Sequence, residues 1–91
     1  MKVVYLEPVP NDVEAIVREC LPSDLSLQVL AENERPEGVV ADADFLLVAT
    51  TKVTPNVFDA AKNLKHIQHQ GVGYNNIDLD AAKARGITIG L

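Results

Sequence analysis

Short apolar runs separated by amphipathic stretches set the tightest limit on what this chain can fold into. "KVVYL" at residues 2–6 is β-branched and aromatic and is stopped by Pro8 and Pro10, the pattern of a strand buried on both faces. "FLLVAT" at 45–50 is a second continuous apolar run of strand length. "LSLQVL" at 25–30 alternates apolar and polar for most of its length, which suits a strand at a sheet edge. "HIQHQ" at 66–70 reads as a polar strand, and "ITIGL" at 87–91 as the last one.

Helical signals fall between most of these runs. Val13, Ile16, Val17, Cys20 and Leu21 recur at three and four residues, with Asn11 or Asp12 available as cap and Pro22 as stop. Thr54 followed by Pro55 opens "TPNVFDAAKNLK" as an N-cap and first helical residue. Asp78 caps a third helix, with Leu79, Ala81 and Ala82 as its apolar stripe and Gly86 as its stop. "AENERPEGVVADAD" is broken by Pro36 and Gly38, although residues 39–42 could form a short helix. Strands alternating with helices predict an α/β fold: a flavodoxin-like wound parallel sheet of about five strands with helices on both faces.

Composition narrows the function classes. A chain of 91 residues makes a single domain, residues 1–91. It is 47% hydrophobic and 23% charged, an ordinary globular mix, and no run approaches the roughly 20 apolar residues of a spanning helix. A net charge of −5 disfavours nucleic acid, whose binders concentrate Lys and Arg. No secretory leader is evident, so a cytoplasmic location is expected. The lone Cys20 lies on the apolar stripe of its helix and is expected to be a core thiol.

In wound sheets ligands bind beyond the carboxyl ends of the strands, here in the loops at 7–10, 49–54 and 70–76. "QHQGVGYNNID" at 68–78 looks at first like a dinucleotide fingerprint, but the third glycine of G-x-G-x-x-G is Asn76. Gly71, Val72 and Gly73 could instead aim their amides at an anionic oxygen, a carboxylate being a suitable guest. The glycines equally serve a tight strand-to-helix turn, and Asn75 and Asn76 are good turn residues. His66 and His69, three apart on a strand, point to opposite faces, which is wrong for two ligands of one metal. His69 sits beside the glycine loop, where it could meet substrate or another domain. A receiver domain needs an acidic pair after the first strand and an aspartate at the end of the third, which here ends "VATT", and the prolines of "EPVPND" remove donors that a flavodoxin phosphate loop uses.

From residue 46 onward, "LLVATTKVTPNVFDAAKNLKHIQHQGVGYNNIDLDAAKARGITI" resembles the D-isomer-specific 2-hydroxyacid dehydrogenases in motif order and spacing. The resemblance implies an NAD- or NADP-linked oxidoreductase acting on small D-2-hydroxy or 2-keto acids, with the glycine loop in the substrate domain. Main-chain amides at Val72 and Gly73, beside Gly71, would hold the substrate carboxylate. Ala49 and Thr50 would line the same cleft, and His69 and Tyr74 are possible substrate or inter-domain contacts. The phosphoglycerate-oxidising branch would bring arginines to this cleft, where this chain has Ala49 and His69, so an unphosphorylated acid is expected.

The family's Rossmann domain, with its cofactor site and its acid and base, has no counterpart in these 91 residues. The chain is therefore expected to be the N-terminal portion of a substrate-binding domain, with no catalytic residue of its own, no bound cofactor or metal, and no turnover alone. Apolar surface left open by the missing cofactor domain would favour a homo-oligomer. The alternative is a non-catalytic flavodoxin-like binding or assembly module.

Overall fold

The computed structural model describes residues 1–70 and 76–90. Five strands, β1 (Lys2–Tyr5), β2 (Ser26–Val29), β3 (Phe45–Val48), β4 (His66–His69) and β5 (Thr88–Gly90), form one parallel sheet in the order β2-β1-β3-β4-β5. That is the flavodoxin-like winding expected from the alternation, and "LSLQVL" does occupy an edge. The helices are α1 (Asn11–Cys20), α2 (Pro55–Ala60) and α3 (Leu79–Ala84). A single 3-10 turn at Pro36–Gly38 lies three residues ahead of the short helix expected at 39–42, because Pro36 suits the first position of a turn whereas Val39 and Val40 are drawn into the core.

Register divides the strand residues between two faces. Val4, Leu46 and Ile67 are neighbours on adjacent strands and all three are fully buried. With Leu6, Val48, Val53, Val57, Phe58 and Ala82 they form a core under α2 and α3. Each such side chain removed from water contributes about 1.5–3 kcal/mol. On the other face Val3 and Tyr5 are buried, whereas Phe45, Leu47, His66 and Gln68 are only half-buried. The winding direction reverses after β2, and right-handed crossovers put α1 on this second face.

The helix ends follow local chemistry. Asp78 accepts from the Ala81 amide at 3.0 Å and caps α3 as its position predicts. Gly86 stops it with a φ of 70°, a left-handed conformation that glycine adopts without strain. Thr54 and Pro55 start α2, but the Thr54 side chain makes no capping bond. Helix α1 begins at Asn11 with Pro10 as its N-cap, so neither Asn11 nor Asp12 caps it.

Helix α1 also corrects the reading of Cys20. The helix buries no residue, Ile16 is 61% exposed, and the Cys20 thiol faces solvent. Its apolar stripe is real in sequence, yet the sheet face behind it is short, covered at Val3 and Tyr5 but only half covered at Phe45 and Leu47. A stripe shows which side of a helix avoids water, not that enough partner surface exists to cover it.

Candidate functional site

The carboxyl ends of β1, β3 and β4 lie side by side, so the turns that follow them share one rim of the sheet. After β3 the chain continues through Ala49, Thr50 and Thr51, and the backbone amides of all three point at one side chain. Oε1 of Glu7, just past β1, accepts from Ala49 N at 2.9 Å, from Thr51 N at 2.7 Å, and from Thr50 N between them. The Thr50 hydroxyl donates to Glu7 Oε2 at 3.3 Å. Thr51 Oγ1 donates to the Leu6 carbonyl at 2.6 Å, a second tie to the end of β1.

Three successive amides converging on one oxygen make a concave anion receptor, a backbone nest. Burial pushes the Glu7 carboxyl up, but the bonds from Thr51, Thr50 and Ala49 and from the Thr50 hydroxyl outweigh it and hold the group below its ordinary value. Neighbouring Tyr5 is shifted the other way, first by burial and then by the Glu7 charge, and its hydroxyl donates to Gln70 Oε1 at the end of β4.

The carbonyls of the same loop are held by Asn76. Its Nδ2 donates to Thr51 O at 2.8 Å and to Ala49 O at 3.2 Å, and its Oδ1 lies 3.0 Å from His69 Nε2. With both Asn76 amide hydrogens directed at carbonyls, Oδ1 can only accept, so His69 carries a proton on Nε2 and donates it. His69 is 4% exposed. His66 turns to the opposite face, where Nδ1 meets Thr88 Oγ1 at 2.7 Å, so the two imidazoles diverge as strand geometry requires.

A second connection joins the two rim segments. Val53 and Ile77 form a parallel bridge, with Val53 N donating to Asn76 O at 2.7 Å and Asp78 N to Val53 O at 3.0 Å. On the near side, Gln70 N donates to Val48 O at 2.7 Å. A shallow open depression lined by Lys52, Thr54, Pro55 and Asp78 lies beside the bridge.

The rim thus brings Ala49, Thr50 and His69 within one hydrogen-bonded network. Gly71, Val72, Gly73 and Tyr74 fall outside the described residues. Two residues that organise the network were not singled out as site residues: Glu7 and Asn76. The adjacency of β1 and β3 in this winding was the available signal for Glu7, since it sets the first residue after β1 beside the turn after β3.

The comparisons agree with this architecture. The family model for the D-isomer specific 2-hydroxyacid dehydrogenase catalytic domain matches residues 3–90. The chain belongs to that family. A hydroxypyruvate reductase of Thermotoga maritima is 38% identical over 84 residues, covering 88% of this chain and 27% of its relative. A D-3-phosphoglycerate dehydrogenase of Archaeoglobus fulgidus is 37% identical over 92 residues, covering 98% and 17%. The solved NAD+-bound 3-phosphoglycerate dehydrogenase of Entamoeba histolytica superposes with a TM-score of 0.86 at 25% identity, over 98% of this chain and 32% of that one. This member of the 2-hydroxyacid dehydrogenase family therefore spans about a third or less of each of these relatives.

One segment of the rim is unsuited to a dinucleotide. The turn after β1, where a wound sheet would place a pyrophosphate, presents the Glu7 carboxylate, Pro8 and Pro10, and the first turn of α1 adds Asp12 and Glu14. Those charges oppose a phosphate, and the prolines offer it no amide.

Proposed function

We propose that this chain is the substrate-binding portion of an NAD- or NADP-dependent oxidoreductase acting on small D-2-hydroxy or 2-keto acids. The cofactor and the proton-transferring side chains would come from a further domain, and the 91 residues would be inactive alone. The observation that carries this reading is the rim network. Ala49, held by Glu7 and Asn76, and Thr50, held by Glu7, lie on the rim that also carries Gln70 and Asn76.

An unphosphorylated substrate is part of the proposal. The Glu7 charge beside Ala49 and Thr50 opposes a phosphate dianion, and His69 is buried and committed to Asn76. Association into a homo-oligomer is also part of it, supported by Val13 and Ile16 exposed on α1 and by the half-buried Phe45 and Leu47 of the sheet face.

The test is made on the protein encoded by the complete reading frame. Loss of reduced-nicotinamide absorbance with small unphosphorylated 2-keto acids, and much weaker turnover of a phosphorylated one, is the expected result. A folded protein that turns over none of them, and whose amides do not shift with millimolar 2-keto acid, would overturn the reading in favour of an assembly module.

A further inference from the structure

The nest formed by Ala49, Thr50 and Thr51 has the geometry of a carboxylate receptor, and it is already filled. Glu7 Oε1 takes all three amides and Oε2 takes the Thr50 hydroxyl, so four donors from the cleft-lining loop serve one internal anion. The amides lie at the end of β3, next to Asn76 and His69. An empty nest here would offer a second docking point for any carboxylate that entered the cleft, and a loop released from Glu7 would be held only through its carbonyls and the Thr51 hydroxyl.

We propose that Glu7 is a positioning residue of the substrate cleft: a resident carboxylate that fixes the loop at 49–51 and closes its nest to the carboxylate of the substrate. The proposal rests on the reading of the cleft as a 2-keto acid site. Glu7 touches neither substrate nor cofactor in this role. It acts through Ala49 and Thr50, whose backbone it sets, and it directs the incoming acid away from the end of β3 by occupying the donors that would otherwise attract it.

Chemical rescue separates this role from simple structural support. In the complete protein, Glu7→Ala is titrated with sodium acetate while the amide resonances of Ala49, Thr50 and Thr51 are followed. Saturable shifts at these three amides in the variant, absent in the unmodified protein, are expected. Steady-state kinetics with a small 2-keto acid should show KM raised about tenfold with a smaller change in kcat, and acetate should return KM toward its original value.

A KM within twofold of the original, or a raised KM that acetate does not lower, would overturn the proposal. Unmoved amides would do the same. Should Glu7→Ala fail to fold, Glu7→Gln carries the test, because it keeps one acceptor oxygen in the nest but only neutral bonds. It should raise KM to a lesser extent, and an unchanged KM would sink the idea. A protein without activity toward any 2-keto acid would instead count against the substrate-domain reading, while the acetate titration would still decide whether the nest exists.

Discussion

His69 Nε2 donates to Asn76 Oδ1 across 3.0 Å, in the carboxamide orientation that two carbonyl partners of Asn76 require. Oriented so, Nδ2 reaches the carbonyls of Ala49 and Thr51. Asn76→Ala should therefore cost about 1–3 kcal/mol, since it strands partners that folding has removed from water. Asn76→Asp should cost at least as much at neutral pH, because a carboxylate set against two carbonyls can only repel them. Urea denaturation of the two variants checks both statements.

Acid should weaken the rim through Glu7. Its folded pKa is lowered from the ordinary 4.5, so its contribution is fully present above that value and is lost as pH falls through the lower folded value. Asp44 adds to the same acid loss: the Lys2 amide first, and the Lys65 ammonium second, hold its carboxyl low. Glu7→Gln should flatten part of the fall in melting temperature below pH 4.5. An unchanged profile would mean that the nest contributes no charge-dependent stability.

Cys20 offers a direct check on α1. The exposed thiol should react with a water-soluble disulfide reagent in the native protein at a rate close to that in denaturant. Protection that grows with protein concentration would show α1 covered by a second copy, as the oligomer reading expects.

Gly86 should tolerate no side chain cheaply, although nothing lies within 4 Å of the place a Cβ would take. The φ of 70° is the whole obstacle, so Gly86→Ala should cost about 1 kcal/mol and Gly86→Asn less. Ile67→Ala, in the centre of the covered face, should cost about 2–5 kcal/mol and sets the scale for a core loss. Thermal melts of the three variants rank them.

The winding of the sheet was legible because period and length decide it: "FLLVAT" cannot be both an exposed helix and a four-residue strand, and its neighbours leave one parallel arrangement. The caps at Asp78 and Gly86 were legible for the same local reason. Cys20 was not, because burial depends on what faces a helix rather than on its own stripe. Glu7 and Asn76 were not either. The amides on Glu7 lie 42 to 44 residues away in sequence and the carbonyls held by Asn76 lie 25 and 27 away, and only the side-by-side placement of strand ends brings them together.

The bridge between Val53 and Ile77 and the bond from Gln70 to Val48 fasten Ile77 and Gln70 to the turn after β3 and to the last residue of β3. Both tethers are main-chain hydrogen bonds, so exchanging the side chains of Gln70 or Val53 should leave them in place. A change that broke either tether would fall first on the Asn76 bonds to the Ala49 and Thr51 carbonyls.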